Sequence, residues 1–180
     1  MKKLSLLALL AVASFANKAN AQTSANTNTT AGAVLITAMT LTQTAPLHFG
    51  SNVLTTSAGG TVVLPSNSTA RTYTGGVATS PATPTATNAA YNVTGTALET
   101  YALTLPATTT VTHTSVGAGI VTMDITDMKA RFNGAGADAV TSTLSTSGTD
   151  SFTLGGTLTV KANQVGGIYA GTFNVSIDYN

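Results

Sequence analysis

Cysteine and tryptophan are both absent from the 180 residues. Without cysteine there is no disulfide framework and no thiol nucleophile, so the fold must rest on a hydrophobic core and on ladders of backbone hydrogen bonds. Charge is scarce too: Asp, Glu, Lys and Arg make up 7% of the chain, against about a quarter in ordinary globular proteins. Beyond residue 21 the cations are Arg71, Lys129, Arg131 and Lys161. So scattered a set forms no basic patch for phosphates, which excludes nucleic acid as a partner. No apolar run after residue 21 reaches the roughly 20 residues of a membrane-spanning helix, so no membrane span is expected in the mature chain.

What is present begins with a leader. Met1, Lys2 and Lys3 precede the apolar stretch from Leu4 to Phe15, and Ala19-Asn20-Ala21 supplies a small-residue cleavage site. This is the layout of a secretory signal peptide, residues 1–21, and it places the mature protein in the periplasm, at the cell surface or outside the cell. The polar stretch that follows, residues 22–32, reads as a flexible N-terminal leader. Residues 33–180 are long enough for one domain with a substantial core.

The domain is rich in Thr, Val, Ala, Gly, Ser and Asn. Thr and Val favour pleated strands because the branched Cβ is stiff, while Gly, Asn and Ser favour turns. Short alternating runs follow one another: Val34 to Leu41, Thr61 to Leu64, Ala70 to Tyr73, Tyr91 to Val93, Tyr101 to Leu105, Thr110 to His113, Ile120 to Asp127, Ser151 to Leu154, Thr157 to Val160 and Tyr169 to Tyr179. No stretch sustains a period of 3.6 residues. The pattern predicts an all-β fold, an immunoglobulin-like Greek-key β-sandwich of about 8–10 short strands, with a closed barrel as the alternative. Residues 75–88, with two prolines and little that is large, read as an exposed loop.

The residues that could carry chemistry do not assemble into a motif. His48 and His113 have no companion at metal-ligand spacing. Asp127, Asp138 and Asp150 lie near predicted turns, yet no Asp-x-Asp-x-Asp-Gly loop accompanies them, so no calcium or other metal is expected. No Gly-x-Ser-x-Gly elbow occurs, and the glycine pairs do not open helices. Neither catalytic residues nor a cofactor is expected, and the protein is read as a non-enzyme.

The C-terminal stretch from Gly167 to Asn180 is the most informative. Gly167, Tyr169, Phe173, Val175, Ile177 and Tyr179 share one face of an extended strand, with polar residues on the other. It resembles the C-terminal signature of chaperone–usher pilin subunits, with a penultimate tyrosine and a glycine fourteen places from the end. That resemblance implies a strand read by a periplasmic chaperone and subunits that polymerise by donating an N-terminal strand to a neighbouring copy. The donor, or else the first strand of the domain itself, would comprise Val34, Leu35, Ile36, Met39 and Leu41. In a self-contained sandwich Tyr179 would sit at a frayed end.

Nearly the whole mature chain also resembles the secreted bacterial family called domain of unknown function 4402. The resemblance is carried by Leu47-His48-Phe49-Gly50, by Gly59 to Leu64, by Ala70-Arg71-Thr72 with Gly75-Gly76, by Tyr91 to Gly95, by Tyr101 to Pro106, and by Gly156 to Asn163. It is similar in pattern to spore coat U and pilin-like domains and implies a sandwich. The expected function is that of a non-catalytic secreted or cell-surface structural subunit, fimbrial or coat-like, assembling by β-strand addition with copies of itself or with a chaperone and usher. The alternative is a monomeric secreted binding module for glycan or protein.

Overall fold

The computed structural model describes residues 24–180 with the exception of Thr55 and Val116. The expected signal peptide, residues 1–21, and the first two residues of the expected flexible leader lie outside the described residues. The chain divides after Leu35; residues 24–35 contain no strand and are exposed.

From Ile36 onward the described chain is all-β. Its strands are β1 (Thr40–Ala45), β2 (His48–Phe49), β3 (Asn52–Leu54), β4 (Gly60–Leu64), β5 (Thr72–Gly75), β6 (Val77–Thr79), β7 (Ala86–Thr87), β8 (Ala89–Thr94), β9 (Thr100–Thr104), β10 (Thr108–His113), β11 (Thr122–Phe132), β12 (Thr141–Thr143), β13 (Thr149–Val160), β14 (Tyr169–Ala170) and β15 (Ser176–Tyr179). The largest sheet runs β1-β8-β13-β11-β10-β14, with β4 also paired to β13 and β5 to β4. A three-stranded sheet, β12-β9-β15, and two ribbons, β2-β7 and β3-β6, complete the set. All these pairings are antiparallel.

Strand β13 is the spine. The sequence pattern separated Ser151–Leu154 from Thr157–Val160 at Gly155-Gly156, but the backbone stays extended through both glycines. One side of β13 pairs with β11; the other takes β8 along its first half and β4 along its second. Strand β11 answers with a bulge, its register against β13 shifting between Thr126 and Lys129, where Asp127 has φ 50°. An extra residue inverts the alternation of the bulged strand. Met123 and Ile125 before the bulge, and Ala130 and Phe132 after it, therefore all point inward although their numbers change parity.

Two apolar clusters result. The first joins Ala89, Tyr91, Val93, Phe132, Phe152 and Leu154 of the large sheet to Tyr101 and Leu103 of the smaller one, with Leu144 between them. This is sheet-on-sheet packing. Phe152 stacks on Tyr91, with centroids 5.0 Å apart, and meets Phe132 edge-on at 5.5 Å. The second holds Val62, Leu64, Met123, Ile125, Leu158 and Val160 of the large sheet against Phe49, Val77 and Ala86 of the ribbons. Each fully buried side chain of this size contributes roughly 1.5–3 kcal/mol, so both clusters are needed.

Four sequence expectations are corrected. The all-β fold is as expected, but the described residues form fifteen strand segments rather than about 8–10, those of the two ribbons only two or three residues long. The first strand is Thr40–Ala45, not 34–41. Residues 75–88 are not one loop: they contain β6 and β7, whose Val77 and Ala86 are buried. Finally, the expected strand from Tyr169 to Tyr179 is broken. Its first part, β14, joins β10 of the large sheet, and its last part, β15, joins β9 of the small one.

Candidate assembly site

The break in the last strand follows from its composition. Gly167 and Gly171 flank β14, and Tyr169 is anchored there: its hydroxyl donates to the Val165 carbonyl and accepts from Gln164 Nε2 at 2.8 Å. The Tyr169 ring also meets the His113 imidazole edge-on, with centroids 5.1 Å apart. Gly167 lies against that imidazole: a Cβ there would come within 2.0 Å of His113 Nε2, and its φ of 150° belongs to glycine. Phe173 and Val175 then turn their half-buried side chains onto the first core cluster, outside any strand ladder. Ile177 and Tyr179 resume pairing, opposite Leu103 and Tyr101.

Because β14 is so short, it pairs β10 only at Thr112 and His113. Among the described residues no strand ladder pairs Thr108–Val111 on that side, where the backbone at Gly171 runs against Thr110 and Val111, and none includes Thr172–Val175. Unpaired stretches of this kind are templates for an added strand.

At the other end of the smaller sheet, the Tyr179 hydroxyl donates to the Thr37 carbonyl at 2.8 Å and accepts from the Thr96 amide at 2.7 Å. The Thr37 amide in turn donates to Thr96 Oγ1 at 2.6 Å. Both backbone groups of Thr37 are thereby satisfied by side chains, without a ladder. Tyr179 is therefore not frayed, and its loss would weaken even a solitary domain, as a clash at Gly167 would. The expectation of a dispensable Tyr179 is corrected on this ground.

The five residues considered as donor or first strand separate in space. Leu41 sits in β1 opposite Val93, and Met39 and Leu41 pack on the first core cluster. Val34 and Leu35 are 91% and 96% exposed, and Ile36 is 47% exposed.

The polar residues are each engaged separately. Asp127 pairs with Lys129 and Asp124 with Lys161, both at 3.2 Å. Asp138 accepts from Arg131 Nε at 2.9 Å and from the buried Ser66 hydroxyl, and the Ser66 bond chiefly holds its carboxyl below the ordinary range. Asp150 accepts from Tyr101 and Ser142 at 2.9 and 2.6 Å. Burial first, then the Asp150 contact, pushes the Tyr101 phenol well above its usual value. Asp127, Asp138 and Asp150 are thus held by different partners, and among the described residues no group of three or more His, Asp or Glu is gathered for a metal ion. His48 and His113 each accept a backbone N–H at Nδ1, from Gly50 and Ser115.

Arg71, part of the Ala70-Arg71-Thr72 element, has a structural role that the sequence did not show. Its guanidinium Nη1 donates to the carbonyls of Phe49 and Ser51 and to Asn52 Oδ1 at 2.7–2.9 Å, and Nη2 reaches Thr79 Oγ1 at 3.2 Å. A lone cation beside Tyr73 in so uncharged a chain was the available signal.

An antiparallel all-β domain with open strand edges, and with its N-terminal segment tied to its last strand, defines the class. Within that class, a family model described as domain of unknown function (DUF4402) matches residues 39–179, and the chain belongs to that family. The match takes in the Arg71 staple, the β11 bulge and β15. No curated protein and no solved structure matches the chain. Among the described residues no helix is long and apolar enough to cross a membrane.

Proposed function

We propose that this protein is a non-catalytic, exported structural subunit of the cell surface that assembles by β-strand addition. The observation that carries this reading is the broken last strand, which leaves Thr108–Val111 and Thr172–Val175 without strand partners. The added strand is Ala33–Ile36 of a second copy. Val34, Leu35 and Ile36 supply the apolar side chains, while Met39 and Leu41 serve the chain's own core. A periplasmic chaperone would occupy the same edge before assembly, since main-chain pairing is indifferent to most of the partner's sequence.

The chemistry of the side chains supports a structural role. Asp124, Asp127, Asp138 and Asp150 are engaged in ion pairs or side-chain hydrogen bonds, and the two histidines each accept a backbone N–H two residues on. The test is deletion of Ala33–Ile36, scoring polymer on the surface of the native host beside the folding stability of the purified protein. Unchanged stability with lost polymer supports the reading; undiminished polymer overturns it.

A further inference from the structure

Between β6 and β7 the chain makes a loop of Ser80, Pro81, Ala82, Thr83, Pro84 and Thr85. Every residue from Pro81 to Thr85 is exposed. The base of the loop is nonetheless fixed. The Ser51 amide donates to the Pro84 carbonyl at 2.9 Å, and the Ser80 amide donates to the Ser51 carbonyl at 3.3 Å. That carbonyl also accepts from Arg71 Nη1 at 2.9 Å. The flanking strands are held as well, β6 by β3 and β7 by β2. Pro81 and Pro84 have no amide hydrogen to give, which keeps the loop out of any ladder. It is therefore an exposed segment on a fixed base.

Five hydroxyl-bearing residues lie in this loop or beside it, and their hydrogen bonds sort them. Thr79 Oγ1 accepts from Arg71 Nη2 at 3.2 Å, Ser80 Oγ accepts from the Ala82 amide at 3.2 Å, and Thr87 Oγ1 donates to the Pro46 carbonyl at 3.0 Å. Among the described residues no hydrogen bond engages the hydroxyl of Thr83 or of Thr85. These two hydroxyls face solvent in a stretch of prolines and small side chains that carries no charge. Ser and Thr interspersed with proline is the acceptor composition of O-glycosylated stalks. Chemistry at either oxygen breaks no hydrogen bond of the fold.

We propose that Thr83 and Thr85 are acceptor sites for O-linked sugar, attached by a glycosyltransferase of the host. This rests on the reading of the protein as exported. The co-reactant is a sugar activated as the phosphate ester of a nucleotide or of a lipid carrier. Threonine Oγ1 attacks the anomeric carbon, and the glycosidic C–O bond forms as the C–O bond to the phosphate breaks. The hydroxyl proton leaves through a base of the transferase, the bonding electrons depart with the phosphate, and nothing is oxidised or reduced. The chain has a use for such a group. With 7% charged residues and a formal net charge of +1, it gains little solubility from charge, whereas a glycan hydrates a surface without any.

The test compares protein recovered from the native host with residues 22–180 produced in a cytoplasm that lacks such a transferase. By intact mass, the host material should exceed the bare chain by whole sugar residues, and mild alkali, which eliminates O-linked sugar from threonine, should remove the excess. Fragmentation that spares the side-chain linkage should place the sugar on Thr83 and Thr85 and leave Thr79, Ser80 and Thr87 bare. Thr83→Val with Thr85→Val keeps both shapes, so it should melt with the bare wild-type chain. From the host it should lack the whole excess, and a broad-specificity protease should cut its loop faster than that of the glycosylated wild type. Sugar confined to other residues, such as the exposed Ser24 to Thr30, or an excess that proves to be phosphate, overturns the proposal. A bare host chain beginning at Gln22 overturns this proposal alone, whereas a bare chain that retains residues 1–21 overturns the exported reading with it.

Discussion

The Tyr179 hydroxyl donates a 2.8 Å hydrogen bond to the carbonyl of Thr37, joining the penultimate residue to the segment just ahead of the first strand. The same oxygen accepts from the Thr96 amide. Tyr179→Phe keeps the ring and removes both bonds. It should cost about 1–2 kcal/mol, since each hydrogen bond contributes a net 0.5–1.5. Urea unfolding measures the loss, and faster proteolysis around residues 36–39 should accompany it. An unchanged midpoint and unchanged cleavage would show that the clasp is idle.

Gly167 is required by its contact with His113. Gly167→Ala should destabilise by about 1–3 kcal/mol through strain and collision. Adding His113→Ala removes the collision but not the unfavourable φ, so the double variant should lose less than the sum of the two single losses. Additive losses in a thermal-melt double-mutant cycle would mean that the imidazole is not the obstacle.

Arg71 staples the turn after β2 to β6 through several donors on one planar head. Lysine offers a point charge and cannot span those acceptors. Arg71→Lys should therefore cost about 2–3 kcal/mol, the scale of hydrogen bonds made by a charged group, with exchange of the amides in β2 and β3 rising most. Uniform exchange across the domain would argue against a local staple.

Acidification should act through Asp138. Its carboxyl is held below the ordinary range by the Ser66 hydroxyl and by Arg131. A depressed folded value means that the stabilisation is fully present above the unfolded value, about 3.9, and is lost as pH falls through the folded value. Asp124 shifts the same way, through Thr110 first and then Lys161, but its carboxylate stays partly open to solvent and contributes little. Asp138→Asn should be less stable at neutral pH and should decline less steeply below about pH 4. Parallel stability curves for variant and wild type would contradict this.

The strand character of the chain was legible because Thr and Val alternate with inward apolar residues. Tyr101, Val62 and Leu154 are buried where period two puts them. The bulge at Asp127 was not legible. Alternation fixes a face only until an extra residue inverts it, and nothing local marks where that happens. The break after Ala170 was hidden for a related reason: Phe173 and Val175 keep the alternation of a strand, while the ladder that would hold them is decided by Gly167, His113 and Tyr169, which meet only in the fold. Arg71 stands in an element that carries the family resemblance, but its role was not legible, because that role is defined by carbonyls 22 and 20 residues away.

The assembly reading is tested most directly by covalent trapping in a chain that has no cysteine of its own. Leu35→Cys and Asn174→Cys place one thiol on the donor segment and one on the unpaired edge, both exposed. Oxidised on the surface of the native host, the double variant should give a ladder of covalent multiples extending past the dimer, absent from either single variant. Monomers alone, or dimers alone as in the single variants, would contradict assembly by strand addition.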